Sequence, residues 1–287
     1  MLAIPNFSEG RDTAVIEAIS RAATAVDGVR LLATHRDPDH HRMVLTLTGE
    51  QGTLHEALVG AAAEAIARID VNVHRGAHPR VGALDVAPIV FLEDSQRGTA
   101  CAEALTLAER LGNELGLPVF LYGVLTEGRV TRADIRRGGP QLLRSRIQAG
   151  ELTPDFGPRD RLHASAGGVL VGARAPLVAF NVELAPPATL ADAKRIAALI
   201  REGGKEGLPS LRAIGLELPA RGGVAQVSMN IDDHRVLPVA QAVAAITRHA
   251  TPLRAELVGL APRLAFDGFP AGLPVENLRY IEDALAA

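Results

Sequence analysis

Apolar positions along this chain fall into blocks whose period alternates between that of a helix and that of a strand. After Asp12 or Thr13, either able to cap a helix, Val15, Ile16, Ile19, Ala22, Ala23 and Val26 recur at helical spacing until Gly28. Residues 2–6 before this helix predict a short strand. Residues 29–34 and 43–48 after it predict two more, flanking the polar connection His35–His41. A helix over 53–69 and a strand over 84–92 complete a β-α-β-β-α-β order, the split βαβ pattern of ferredoxin-like folds. A helix at 95–116 and a strand at 118–122 extend this half. A polar, Gly-rich stretch at 126–139 and a short helix follow.

The second half repeats the opening order: strand 177–184, helix 190–200, strands 211–218 and 225–231, helix 236–248 and strand 255–260. Residues 274–287 read as a terminal helix. The fold class expected is therefore α/β (α+β), with two ferredoxin-like βαββαβ subdomains at residues 1–170 and 171–287. Each sheet leaves one face bare unless something covers it, so the sheets are expected to pack around a central cleft.

Composition narrows the function. At 287 residues with 47% hydrophobic and 22% charged positions, the chain has ample material for a globular core. A net charge of −3, aromatics at 3% and no Lys/Arg-rich run argue against nucleic acid as a partner. No apolar stretch is long enough to span a bilayer, and the N-terminus lacks the basic and apolar regions of a secretory signal. The expectation is a cytoplasmic protein without a membrane partner. Cys101, the only cysteine, sits in an Ala/Leu-rich helical run and reads as a small core residue.

The densest chemistry lies between His74 and Asp85, where two imidazoles, His74 and His78, stand with Arg75, Arg80 and Asp85 in a turn shaped by Pro79 and Gly82. Imidazole, with an ordinary pKa of about 6.5, takes and returns protons near neutrality. The connection His35–Arg42 crowds Asp37, Asp39, His40 and His41 together, which suits a metal site, a solvated hairpin or a substrate-binding loop. Gly76 and Pro79 break the helical meaning of the His74/His78 spacing, and this weakens the metal reading. Asn6–Gly10 follows the first strand, where ligands meet sheet folds, although Ser8 and Glu9 equally suit helix entry. Asn181 holds the corresponding place in the second half. Gly167–Arg174 matches no nucleotide fingerprint; its small residues allow close approach of a flat ligand or a tight turn. Pro154–Pro158 is a rigid turn carrying Asp155 and Phe156.

Together these segments, Pro5-Asn-Phe-Ser-Glu-Gly10, Asp37-Pro-Asp-His-His-Arg42, Gly76-Ala-His-Pro-Arg-Val-Gly-Ala-Leu-Asp-Val86, Pro154-Asp-Phe-Gly-Pro158, Gly172-Ala-Arg174 and Phe180-Asn181, resemble the formiminotransferase family from about residue 3 to 265. The resemblance implies transfer of a formimidoyl group from N-formimidoyl-L-glutamate to N5 of tetrahydrofolate, in histidine breakdown and one-carbon metabolism. It also implies a homodimer, with folate between the two subdomain sheets. On the matching positions it implies that His78 is the general acid/base. It further implies a folate site lined by Asp155, Phe156 and Gly157, with His163 and Gly167 beyond them. Animal members carry tryptophan where this chain has Ala166, and aspartate where it has His35, with Asp37 or Asp39 as the nearest substitute. They also continue into a cyclodeaminase domain, so a single activity is expected here.

The resemblance implies tetrahydrofolate as co-substrate, and because amidine exchange needs only one proton shuttle, no metal is required. Asp37, Asp39 and Asp85 are candidates to face the amidine, and Arg42, Arg80 and Arg174 to hold substrate carboxylates. Asn6, Glu9, His35 and Asn181 complete the candidate binding set. Three other readings remain open: a related folate-dependent formyl or formimidoyl transfer, a metal-dependent amide or amidine hydrolase, and a non-catalytic amino-acid sensor.

Overall fold

The structure is a computed structural model describing residues 1–76 and 79–287; Ala77 and the candidate acid/base His78 lie outside the described residues. The chain divides into two compact units, Met1–Arg174 and Ala175–Ala287.

The first unit opens with a split strand, β1 (Leu2–Ala3) and β2 (Asn6–Phe7), interrupted at Ile4-Pro5. There the Ile4 N–H donates to Pro88 O and the Pro5 carbonyl accepts from Leu45 N. Helix α1 (Thr13–Ala23) starts where Asp12 accepts from the N–H groups of Ala14 and Val15, and it buries Ile16, Ile19 and Ala23. The elements β3 (Arg30–Asp37), β4 (Arg42–Thr48), α2 (Leu54–Arg68) and β5 (Leu84–Val90) then complete the expected unit. They are followed by α3 (Arg97–Asn113), β6 (Val119–Gly123), α4 (Arg132–Arg136), α5 (Gly139–Gln148) and β7 (Val169–Arg174). Among the described residues, β3 pairs with β4, β4 with β1 and β2, and these with β5; β7 and β6 extend the sheet.

Two expectations need correction here. The connection read as His35–His41 shrinks to a turn, because β3 continues through Asp37. His35 and Asp37 therefore sit on a strand, paired opposite Val44 and Arg42. The Gly-rich run 167–174, read as lying at the subdomain junction, is largely strand β7, inserted parallel between β5 and β6. Its continuous Val-Leu-Val-Gly-Ala run is buried throughout, as a strand covered on both faces requires. A boundary at 170/171 would cut that strand, and the compact unit extends to Arg174 instead. Gly172 serves packing, since a Cβ there would meet the Tyr122 ring at 2.7 Å. Cys101 is half-buried on α3, outside the core.

The second unit comprises β8 (Val178–Leu184), α6 (Leu190–Ile200), β9 (Leu211–Leu218), β10 (Val224–Ile231), α7 (Val239–Thr247) and β11 (Pro252–Val258). Their sheet order β11-β8-β10-β9 is antiparallel throughout, as a ferredoxin-like unit demands. The expected terminal helix is instead a two-residue strand, β12 (Val275–Glu276), parallel to β11, and a shorter helix, α8 (Ile281–Ala286). Val178, Phe180, Val182 and Leu184 pack into a core with Ile196, Ile200, Val243 and Ile246. Strand alternation turns Asn181, Glu183 and Gln226 to the other face, where they too are buried. Among the described residues, no helix is long and apolar enough to cross a membrane.

Candidate functional site

In the first unit three loops converge at one edge of the sheet: the segment after β2, the β3–β4 turn, and the α2–β5 loop. Backbone needs dictate the convergence. Ser8 donates through its N–H to Ala83 O at 2.8 Å and through Oγ to Gly82 O at 2.7 Å. Arg11 Nε donates to Pro38 O at 2.9 Å, and Gly10 N–H donates to His41 Nδ1 at 3.1 Å. Only glycine fits at position 10, where a Cβ would lie 2.4 Å from Asp37 O. Glu9 accepts from Arg11 N and Asp12 N, so its carboxylate shapes the entry to α1 and stands 3.5 Å from His41 Nδ1.

On the adjoining strands, register places Asn6 beside Val44, and Val44 beside His35, with Asp37 and Arg42 one pleat further on. Burial, reinforced by the Arg42 charge, pushes His35 down to about 4. Burial alone would raise Asp37, but hydrogen bonds and charge from His40 outweigh it and hold the carboxyl at about 2. His40 is itself buried, its backbone N–H bound to Asp37 Oδ1 at 2.9 Å and its Nδ1 facing Oδ2. Asp39 is half-buried in the turn. The site thus offers a permanent carboxylate beside a neutral imidazole and a guanidinium.

This electrostatic pattern predicts how stability depends on pH. A histidine with a depressed pKa is neutral when folded but charges in the unfolded chain, so the unfolded state binds more protons between about 4 and 6.5. Stability is then complete above 6.5 and falls as pH drops towards 4, through both His35 and His74. Asp37 adds a further loss from 3.8 down to about 2. Urea midpoints across this range, compared with a His35→Gln variant, check the first part: the variant should show the shallower decline.

The α2–β5 loop is laced down on both sides of the undescribed pair. Val71 N donates to Ser165 O at 2.9 Å, Ala83 N to Ala166 O at 2.8 Å and Gly168 N to Val81 O at 3.0 Å. His74 Nε2 meets the His41 carbonyl at 2.9 Å, and the two rings stack with centroids 4.1 Å apart. Arg80, its pKa lowered by burial, donates to Gly76 O at 2.8 Å. Arg42 and Arg80 are both half-buried at this edge.

Asp85, read as a possible partner for an amidine, has another task. It occupies the register shift between Asn6 and Phe7 opposite β5, accepts from Val81 N at 2.6 Å and pairs with Arg136 of α4. It braces the loop from beneath. Nothing in the local sequence signals Arg136, which lies 51 residues away.

The Pro154–Pro158 turn is also occupied with structure. Asp155 Oδ2 accepts from Leu121 N at 2.7 Å, Phe156 forms a bridge with Val119, and Gly157, at φ +76, would clash through a Cβ with Leu117 O. His163 Nδ1 accepts from Ala166 N at 3.0 Å, and Gly167, at φ +72, lies against Val81 O. These residues fix the turn that anchors the α2–β5 loop. Arg174 ends β7, its carbonyl accepting from Phe91 N. Asn181 belongs to the second unit, where its Nδ2 donates to Glu256 at 3.3 Å.

Comparison with known proteins adds to this geometry. Residues 1–174 match the formiminotransferase domain, N-terminal subdomain, and residues 179–266 match the formiminotransferase domain. The chain is 36% identical to the glutamate formimidoyltransferase of Streptococcus pyogenes serotype M1 over 98% of its own length and 96% of that protein. It is 36% identical to the glutamate formimidoyltransferase of Thermoplasma acidophilum, over 91% and 88% of the two chains. The formimidoyltransferase-cyclodeaminase of Sus scrofa is also 36% identical, across 98% of this chain and 53% of that longer protein.

Proposed function

The chain belongs to the formiminotransferase family, and from that premise we propose that it transfers the formimidoyl group of N-formimidoyl-L-glutamate to N5 of tetrahydrofolate. The match of both halves of the chain, in order, to formiminotransferase domains carries this reading. Tetrahydrofolate is a co-substrate here. The same family likeness supports a place in histidine breakdown, a cytoplasmic location and a homodimeric state.

The chemistry asks little of the protein beyond one proton shuttle and fixed charges. N5 attacks the amidine carbon, and His78 takes the proton that N5 gives up as the C–N bond forms. The tetrahedral intermediate then breaks its bond to the glutamate nitrogen, to which His78 returns the proton. Glutamate leaves, and the imidazole ends neutral. Asp37, kept ionised by His40, supplies the anionic neighbour a cationic amidine wants. Arg42, Arg80 and Arg174 are the cations for substrate carboxylates. Asn6, Glu9, His35 and Asp39 complete the candidate binding set on the first unit, and Asp155, Phe156, Gly157, His163 and Gly167 set the folate-side turn.

A turnover assay with formimidoylglutamate and tetrahydrofolate, following 5-formimidoyltetrahydrofolate, tests the reading directly; no product above the uncatalysed rate would remove it. Dialysis against EDTA should leave that turnover unchanged, since proton transfer and charge pairing suffice. Activity lost and then restored by a divalent ion would favour the metal-hydrolase alternative. Arg80→Lys keeps the charge but loses the planar fork, and should raise KM for one carboxylate substrate by the equivalent of about 1.5–3 kcal/mol. Unchanged KM for both substrates would assign Arg80 to bracing the loop, to which its bond to Gly76 O contributes.

A further inference from the structure

The hydrogen bonds around His41 and His74 fix both tautomers. A carbonyl only accepts, so His74 must carry its proton on Nε2 to bind His41 O at 2.9 Å. The Gly10 N–H only donates, so His41 Nδ1 must be bare to receive it at 3.1 Å. Among the described residues, His74 Nδ1 is buried without a partner, and Arg80, His41 and Glu9 are the charged groups that act on the ring. Among the described residues a second proton on His74 would find no acceptor, and it would face Arg80. The ring therefore works as a fixed, neutral donor.

Its location gives that donor a use. His74 is four residues before His78 in sequence and joins the α2–β5 loop to the β3–β4 turn, which in turn holds the segment after β2 through Gly10. Gly76 seals the same junction: a Cβ there would lie 2.4 Å from His40 O, so the loop backbone runs directly against the turn. On the reading of function given above, we propose that His74 is a positioning residue, whose Nε2–H bond to the His41 carbonyl sets the register of the loop carrying the proton shuttle. His74 does not exchange a proton with substrate. It fixes the chain entering the reactive segment while the stacked His41 ring ties that chain to the segment after β2.

Four variants of the full chain test this, each read by kcat, KM for both substrates, melting temperature and the pH profile of kcat. His74→Phe keeps a stacking ring without a donor. His74→Asn places its amide nitrogen near Nδ1, short of the carbonyl, whereas His74→Gln reaches the Nε2 position. His78→Ala is the control. A small misplacement of a reacting group costs up to about 100-fold in rate. His74→Phe and His74→Asn should accordingly lose kcat on the order of 10- to 100-fold with KM unchanged, and His74→Gln should recover most of it. The acid limb of His74→Gln should coincide with that of the wild type.

Wild-type kcat in His74→Asn overturns the proposal, as does a loss that His74→Gln shares. A shifted acid limb in His74→Gln would make His74 a proton carrier, and a kcat loss matched by a lost folded fraction would make it a stability residue; either result overturns it. Should His74→Phe fail to fold, the Asn and Gln variants decide by the same criteria. Wild-type turnover in His78→Ala beside a donor-dependent kcat at position 74 removes the role of His78 and keeps the clamp. An inactive His78→Ala beside a fully active His74→Asn removes the clamp alone.

Discussion

His78→Ala is expected to fold normally and to lose about 10²- to 10⁴-fold in turnover, the usual contribution of a general acid/base. Folding should survive because the loop is held by bonds outside that side chain. Ser8 to Gly82 and Ala83, Val71 to Ser165, Ala83 to Ala166 and His74 to His41 all lie in the flanking segments. KM for both substrates should change little, since a proton shuttle acts on the transition state more than on binding. Steady-state kinetics with a melting curve on the same preparation checks this. More than half the wild-type kcat in a folded variant removes His78 from the mechanism. A loss of turnover accompanied by a large fall in melting temperature assigns it to the fold instead.

Features carried by local periodicity and local capping were legible in the chain. Helix α1 lies close to where its apolar spacing and its Asp12 cap place it, α6 spans the expected 190–200, and the repeated β-α-β-β-α-β order appears in both units. Strand β7 was harder to read because its Gly-rich beginning resembles a linker, and pairing with β5 and β6, distant in sequence, makes it a strand. The residue types of the candidate site were legible for a similar reason: histidines and carboxylates crowded between apolar blocks need no partner to be noticed. Their partners were not. The His41–His74 stack joins residues 33 apart and Asp85–Arg136 residues 51 apart, and neither separation leaves a mark on spacing. Asp85 shows the consequence most clearly, since its place in the motif suggested contact with substrate while its bonds face inward to Val81 and Arg136.

Asp85→Ala is therefore expected to act on stability first. Asp85 is 3% exposed, and removing its carboxylate leaves the Arg136 guanidinium, whose Nε has no partner among the described residues, without this counter-charge. It also leaves the Val81 N–H unsatisfied. Removing one member of a buried ion pair costs on the order of 3–5 kcal/mol, because the remaining charge stays desolvated. Asp85→Asn should fall between the variant and the wild type, since its amide oxygen can still accept from Val81 but carries no charge for Arg136. Urea denaturation of the three proteins at neutral pH, read through the midpoint at constant slope, gives the ordering. Any kcat loss should follow the fall in stability and shrink at low temperature in stabilising osmolyte. An Asp85→Ala protein as stable as the wild type but inactive would reverse the assignment and return this carboxylate to the substrate amidine.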